Sequence, residues 1–336
     1  MSASQHSMQC ELMREDIRVV YIMGAGRSGS TLLDALLGNH PDVVSVGELT
    51  NLHFAGWSNG EYCACGKQGN VCEFWSEVLR EWKQRDASAD VVDYIAMQKR
   101  FESFRFFGWI RWVRFFRERF FRSRRFQRFL HQTENLYAAI RQVSGKSIIV
   151  DSSKNPLRAC LLSLIPGIDL RIVHLVRDGR AVAWSRKKAF DRNGKGGVSN
   201  TIPSRPIWFS VVYWMLVNLV AGMVRTVGSD NAMLVRYENL VTTPQVVLGQ
   251  IATLANVDLT EVARAATAGE SMRIRHIISG NRLRMAGSVT LQADQEWIQM
   301  LSRTDRRICW TLAGWMLQRY QYSRDNELAS NSRRAA

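Results

Sequence analysis

Short apolar runs alternate with longer amphipathic stretches along most of this 336-residue chain. The short runs are rich in β-branched residues and are bounded by Gly or polar residues, which predicts buried strands. The stretches between them repeat apolar residues at helical spacing. Strands that alternate with helices predict an α/β fold, in which a parallel sheet is flanked by helices. The predicted strands span residues 18–23, 42–46, 147–150, 170–176 and 232–236.

One apolar run, over residues 207–223, is much longer than the others. It is short of the ~20 residues that a membrane span needs, and Ser210 and Asn218 interrupt it. We therefore expect a buried core helix there, within a mostly helical C-terminal part. The other predicted helices span residues 30–38, 157–164, 180–189, 245–256 and 304–320.

The segment 97–130 interrupts this order and predicts a helical basic and aromatic insertion. Residues 99–128 hold 11 aromatic and 11 basic side chains against two acidic ones, so they carry +9 of the net charge of +15. Three interpretations stay open. The aromatic side chains of a helical pair could pack on the domain, or the segment could contact an anionic membrane and hold an amphipathic acceptor. Nucleic-acid binding is the least favoured, because no known nucleic-acid module surrounds the segment.

Composition adds two constraints. Of the 45 basic residues 37 are Arg, which favours bidentate recognition of anions such as phosphates. The N-terminus lacks the pattern of a secretory signal peptide, so we expect a cytoplasmic protein, possibly membrane-associated. We predict a single domain over residues 17–325, with flexible tails at 1–16 and 326–336.

The stretch VVYIMGAGRSGSTLLDALLGNHP, after the first predicted strand, has the pattern of a phosphate-binding loop. Gly24, Gly26 and Gly29 allow a sharp turn, and the helix that follows presents its positive dipole end to an anion. In the pattern G-x-x-x-x-G-K-[ST], Thr31 fits but Ser30 replaces the Lys. That Lys holds the β and γ phosphates in nucleotide triphosphatases, so hydrolysis of ATP or GTP is not expected.

Four segments resemble the PAPS-dependent sulfotransferases, in their bacterial and carbohydrate-type branch. GRSGSTLL at 26–33 resembles the 5′-phosphosulfate loop of that family, and RIVHLVRDGRAVAWSR at 171–186 resembles its 3′-phosphate motif. RYENLVTTP at 236–244 and HIISGNRLRMAGSVTL at 276–291 are similar to later segments of the family. The matches run in family order over residues 18–322. Gly179 departs from the family, because many members have Pro at that place.

This resemblance implies a P-loop-like fold and a donor site for PAPS (3′-phosphoadenosine 5′-phosphosulfate), with no metal required. Arg177 and Ser185 would bind the 3′-phosphate, and Tyr237 would lie near the adenine. Asn281 and Arg284 would complete the 3′-phosphate site. The implied ligands of the 5′-phosphosulfate are Gly26, Arg27, Ser28, Gly29, Ser30 and Thr31.

The resemblance also implies catalytic residues. Glu48 matches the place of the general base in the protein-tyrosine and carbohydrate sulfotransferases. Lys154, in DSSKNP, would neutralise charge on the leaving phosphate together with Arg27, while Ser152 and Ser153 are expected to cap the next helix. Because the cytosolic phenol sulfotransferases use a His as base, a His is the fallback. The candidates, each expected to be structural, are His40, His174 and His276.

Cys63, Cys65 and Cys72 form a cluster in YCACGKQGNVCEFW. A zinc site needs a fourth ligand, and His53 is the only candidate nearby in sequence. C-x-C spacing is also less usual than C-x-x-C for zinc. We therefore predict no metal. A local disulfide and a structural loop near the acceptor, as in similar relatives, remain open.

The sequence thus predicts transfer of a sulfuryl group from PAPS to a hydroxyl, with Glu48 as base. The resemblance favours a carbohydrate or glycolipid acceptor. Two alternatives from other classes stay open: a P-loop kinase-like nucleotide-binding enzyme, which Ser30 opposes, and a catalytically inactive lipid-docking module, which Glu48, Lys154 and Arg177 oppose.

Overall fold

Five parallel strands form the central sheet in the computed structural model, which describes residues 16–103, 123–198 and 201–324. The order across the sheet is β2-β3-β1-β4-β5, and each strand lies within a few residues of its predicted bounds. The predicted α/β class with a parallel sheet is confirmed. The strands are β1 (Ile17–Met23), β2 (Val43–Gly47), β3 (Ile148–Lys154), β4 (Ile168–Val176) and β5 (Ala232–Arg236).

Helices cover both faces of this sheet and form most of the C-terminal part, as predicted. A short helical turn, Leu49–Asn51, continues as a π-helix over Leu52–Ser58, and a small hairpin pairs Met272–Arg273 with Ser288–Val289. The helices are α1 (Ser30–Leu37), α2 (Glu73–Arg85), α3 (Val91–Phe101), α4 (Arg124–Ser144), α5 (Pro156–Leu162), α6 (Gly179–Lys187), α7 (Ile207–Val227), α8 (Tyr237–Thr242), α9 (Pro244–Ala255), α10 (Thr260–Thr267), α11 (Glu296–Met300) and α12 (Arg303–Arg319).

Strand β1 is buried on both faces, which explains its almost uninterrupted apolar sequence. Val19, Tyr21 and Met23 pack in one cluster with the tryptophans of α2. Val20 and Ile22 pack in the other, against α1 and α9. Full burial of a Val or Ile side chain contributes ~1.5–3 kcal/mol, so a polar residue on either face would be costly.

The strand order determines where a ligand can bind. After β1 the chain passes to β2 at one edge, and after β3 it crosses to β4 on the other side of β1. Open α/β sheets bind ligands outside the carboxyl ends of the strands where the order reverses. That position lies here at the ends of β1, β3 and β4.

The carboxyl end of β3 is held by buried hydrogen bonds. The Ser152 hydroxyl donates to Asp34 Oδ2 at 2.8 Å, and the Ser153 hydroxyl donates to Asp151 Oδ1. The prediction that these serines cap α5 is therefore wrong, because both still belong to the strand. The side chain of Asn155 caps the helix instead, by accepting from Leu157 N at 3.0 Å.

Helix α7 contains the long apolar run and extends it to 21 residues. By length and composition alone it could cross a membrane, with a mean hydropathy of 1.9, and half of its most apolar window is buried. Ser210 and Asn218 are fully buried, and Asn218 Oδ1 lies 3.0 Å from His174 Nε2. This burial fits the predicted core helix, although residues such as Trp208 and Leu216 leave an exposed apolar face.

Residues 104–122, the centre of the predicted insertion, lie outside the described residues. The predicted membrane contact through 99–128 and the nucleic-acid alternative fall mainly there. The two described flanks are helical and belong to α3 and α4. Phe101, Phe126 and Phe129 are buried at their junction, with ring centroids 5.1 Å and 5.5 Å from Phe101.

Candidate active site

A tight loop over residues 24–29 joins β1 to α1 at the carboxyl edge of the sheet. Gly24 and Gly29 have φ of 143° and 92°, values that favour glycine. A Cβ on Gly24 would lie 2.3 Å from the backbone oxygen of Leu175, and one on Gly29 would lie 2.5 Å from Tyr237 Cδ2. Glycine is thus required at both places, because β4 and Tyr237 approach the loop so closely.

The first turn of α1 suits an anion. In the described residues no side chain caps this helix, whose N-cap is Gly29. The Ser28 hydroxyl is buried and makes no hydrogen bond within the described parts of the chain. Free N–H groups at a helix start, together with a buried unpaired hydroxyl, fit the oxygens of a phosphate group.

Arg177 follows β4 directly and is 6% exposed. Its Nη1 donates to the backbone oxygen of Arg27 at 3.3 Å, and its Nη2 lies 3.1 Å from Asp294 Oδ2. Its guanidinium carbon lies 4.4 Å from the centroid of the Tyr237 ring. Burial alone would raise the pKa of Asp294, but the nearby Arg177 holds it below its usual value.

The loop and Arg177 open into one cavity of about 530 Å³, within the usual range for ligand sites. It brings together residues from the ends of β1, β3 and β4 with the segment after residue 279. Among the predicted site residues, the cavity lining contains Gly26, Arg27, Gly29, Ser30, Thr31, Glu48, Lys154, Arg177, Ser185, Tyr237 and Asn281.

Positive charge is crowded into this cavity. Burial lowers the pKa of Arg27, and the neighbouring Arg186 lowers it further. Arg186, which the sequence analysis missed, stacks 4.0 Å above the centroid of the Tyr213 ring, and its buried Nε has no partner in the described residues. Its position directly after Ser185 in the 171–186 motif was a signal that could have identified it. Clustered cations of this kind favour an anionic ligand.

Glu48 and Lys154 form an ion pair at the other end of the cavity. Lys154 Nζ contacts Glu48 Oε1, and Asn51 Nδ2 donates to Glu48 Oε2 at 2.9 Å. Lys154 has a φ of 67°, which costs ~1–3 kcal/mol for a residue other than glycine. The left-handed backbone occurs where β3 ends in the site, so the chain keeps this strain at a place that orients a cation.

Asn281 and Arg284 differ from their predicted roles in ligand binding. The Asn281 side chain accepts from Leu283 N at 3.1 Å, and its backbone N–H donates to the Thr31 hydroxyl at 3.3 Å. Arg284 is fully buried and pairs with Glu61 at 2.6 Å, outside the cavity lining. Because all its reach is used in packing two segments together, Arg284 stabilises the wall of the site and does not face a ligand.

No histidine from the described ranges lines the cavity. His174 is buried in β4, and burial lowers its pKa to about 4. His40 Nδ1 accepts from Asp42 N at 3.1 Å in the turn after α1. Both histidines are structural, as expected, so Glu48 and Asp294 are the carboxylates of the cavity.

A comparison with protein families decides the class. The model of the sulfotransferase family matches residues 20–261, well over half of the chain. The chain belongs to the sulfotransferase family. The resemblance stated from the motifs is thereby confirmed, and this sulfotransferase is an enzyme of a family that generally uses PAPS as its donor. No curated protein matches the sequence.

Solved sulfotransferase structures resemble this sulfotransferase at low identity. The sulfotransferase domain of the Synechococcus PCC 7002 olefin synthase is 20% identical, with a TM-score of 0.46 over 89% of this chain and 96% of that chain. The sulfotransferase domain from the curacin biosynthetic pathway is 15% identical, with a TM-score of 0.44 over 88% and 96%. Sulfotransferase STF9 from Mycobacterium avium is 12% identical, with a TM-score of 0.44 over 96% and 81%.

Proposed function

We propose that this enzyme transfers a sulfuryl group from PAPS to a hydroxyl of a small acceptor, with Glu48 as general base. The observation that supports a PAPS site is the unpaired Ser28 hydroxyl beside the uncapped start of α1, with Arg27 and Arg177 in the same cavity. The loop would hold the 5′-phosphosulfate, and Arg177 with Ser185 would hold the 3′-phosphate.

PAPS supplies a sulfuryl group whose bond to the 5′-phosphate oxygen breaks as a bond to the acceptor oxygen forms. Glu48 takes the proton that the acceptor hydroxyl loses, a role worth ~10²–10⁴ in rate. Lys154 and Arg27 neutralise the charge that develops on the leaving phosphate, and a contact of this kind is typically worth ~10²–10³ in rate. The products are the sulfated acceptor and PAP.

The Lys154–Glu48 ion pair gives this mechanism a clear arrangement. Lys154 follows the end of β3, and Glu48 follows the end of β2, so adjacent strands bring the two charges together. Asn51 holds the second oxygen of Glu48. The carboxylate is thus oriented through both oxygens, beside the phosphate loop.

For the acceptor we propose a carbohydrate or glycolipid. The support is the resemblance to the carbohydrate-type branch and the basic, aromatic composition of residues 99–128. We also propose that the whole of 17–325 acts as one sulfotransferase domain between flexible tails. Its proposed location is the cytoplasm, possibly in peripheral contact with an anionic membrane.

Titration of the purified chain with PAP, and separately with ATP and Mg²⁺, tests the donor. We expect micromolar binding of PAP and none of ATP, because Ser30 replaces the Lys of nucleotide triphosphatases. Binding of ATP with Mg²⁺ but not PAP would favour the kinase-like alternative. Binding of PAP without sulfate transfer to any carbohydrate or glycolipid acceptor would favour an inactive docking module.

A further inference from the structure

Three cysteines and one histidine meet on the side of the molecule that carries the loop before α2. The sulfurs of Cys65 and Cys72 lie 3.5 Å apart, and His276 Nδ1 lies 3.5 Å from the Cys72 sulfur and 3.9 Å from the Cys63 sulfur. All four potential ligand atoms lie within 4.8 Å of one another. His276 comes from a segment some 200 residues later, so only the fold brings the set together.

These distances agree with the edges of a zinc tetrahedron. Zinc–sulfur bonds of ~2.3 Å and zinc–nitrogen bonds of ~2.0–2.1 Å place ligand atoms ~3.8 Å apart for two sulfurs and ~3.5 Å apart for sulfur and nitrogen. A disulfide would instead need its sulfurs at ~2.05 Å. The cluster therefore has the spacing of atoms that surround an ion.

The backbone around the sulfurs is arranged to stabilise thiolates. The N–H groups of Cys65, Lys67 and Trp75 hydrogen-bond the sulfurs of Cys63, Cys65 and Cys72, respectively. Gly66 has a φ of 85°, which permits the tight turn between the first two of these bonds. Each cysteine thus receives a backbone donor, as a negatively charged ligand sulfur requires.

Neighbouring rings fix the orientation of His276. The Phe74 ring stacks on it at a centroid distance of 5.0 Å, and Trp75 Nε1 donates to the His276 backbone oxygen at 3.0 Å. His53, the fourth ligand considered from sequence, lies elsewhere: it is buried between Trp57, Trp82 and Tyr94. The histidine that completes the set is therefore His276.

We propose that Cys63, Cys65, Cys72 and His276 bind one Zn²⁺ ion as a structural Cys₃His site. Four protein ligands close the coordination sphere and leave no position for a substrate. The three thiols lose their protons to solvent when the ion binds. The ion is separate from sulfuryl transfer, so this proposal does not depend on the acceptor or on the role of Glu48.

The site would join two segments that form the wall of the catalytic cavity. Ala64 N donates to Ile277 O at 3.0 Å, and Glu48 N donates to Ile278 O at 2.9 Å. The ligand His276 thus lies two residues before a direct backbone partner of the proposed base. Loss of the ion is expected to loosen this wall more than the β4 side of the cavity.

Elemental analysis of the full chain, purified without chelators, tests the proposal. We expect about one zinc per chain, as four ligands to one ion require. Cys65→Ser and His276→Ala should each lose most of it, whereas Cys160→Ser, which changes a cysteine outside the cluster, should keep it. Circular dichroism of each variant separates loss of the ligand from loss of the fold.

Removal and return of the ion give a second readout on the unchanged chain. Treatment with a strong chelator should lower the melting temperature, and Zn²⁺ but not Mg²⁺ should restore it. A zinc-free chain with three reactive thiols in the cluster, even after Zn²⁺ is added, would overturn the proposal. So would a mass two hydrogens lower that a reducing agent restores, because it would identify a disulfide.

Discussion

The two ends of the catalytic cavity are built in different ways. The donor end consists of the loop after β1 and of Arg177, and backbone geometry at strand ends positions both. The acceptor end consists of Glu48 and Lys154, which side-chain contacts hold and which the segment 276–281 covers. The donor end is therefore a property of the sheet, whereas the acceptor end depends on contacts between distant segments.

The largest expected effect comes from breaking the acceptor end alone. Glu48→Gln removes the proposed base while it keeps the size of the side chain, so kcat should fall by about 10²–10⁴. The affinity for PAP should stay within about threefold, since Arg177 and the loop are unchanged. Sulfate transfer and PAP titration measure the two quantities. The exposed Glu77→Gln in α2 is the control, and an unchanged kcat would exclude Glu48 as base.

Breaking the donor end should give the opposite result. Arg177→Ala removes charge-assisted bonds worth ~1.5–3 kcal/mol, so PAP should bind about 10- to 100-fold more weakly. Adenosine 5′-phosphate, which lacks the 3′-phosphate, should bind as before. Arg171→Ala, on the same strand but paired with Asp169 at the surface, is the matched control. Equal losses for both ligands would place Arg177 outside the 3′-phosphate site.

Asp34 lies beneath both ends, since it joins α1 to Ser45 and to Ser152 of β3. Burial raises its pKa to about 7, against the opposing effect of its serine hydrogen bonds. The folded state therefore binds the proton more tightly than the unfolded chain, whose Asp has a pKa of ~3.9. The resulting stabilisation is fully present below about pH 4 and is lost as the pH rises through about 7.

Asp34→Asn should remove this pH dependence. Between about pH 4 and about pH 7, the free energy of unfolding of the unchanged chain should fall relative to the variant by up to about 1.4 kcal/mol per pH unit. Urea unfolding at several pH values measures the difference, with the exposed Asp42→Asn as control. Parallel pH profiles for the chain and for Asp34→Asn would show that Asp34 does not titrate in this range.

The smallest expected effect sharpens the donor end. Asp294 pairs with Arg177, and its side chain is half exposed. Exposed ion pairs contribute ~0.2–1 kcal/mol, so Asp294→Asn should strengthen PAP binding by about two- to fivefold. Adenosine 5′-phosphate should show no gain. Weaker PAP binding by the variant would mean that Asp294 supports the ligand and does not compete with it.

The same contrast explains how much the sequence could predict. The strands and the phosphate loop were predictable, because local apolar patterns and glycines specify them. Arg177 was predictable as a strand-end residue. The direction of Arg284 was not, since its ion pair with Glu61 depends on how two distant segments pack. His276 as the neighbour of the cysteines, and Asp294 as the partner of Arg177, required the fold for the same reason.

The ion pair between Arg177 and Asp294 also affects which anions the site admits. Arg177 already has a counter-ion, so a free sulfate or phosphate must displace a carboxylate and gains only that one contact in return. A ligand that also occupies the loop after β1 gains enough to complete the exchange. The carboxylate therefore acts as a filter against the abundant inorganic anions of a cell, and it makes recognition depend on two phosphate groups at a fixed separation.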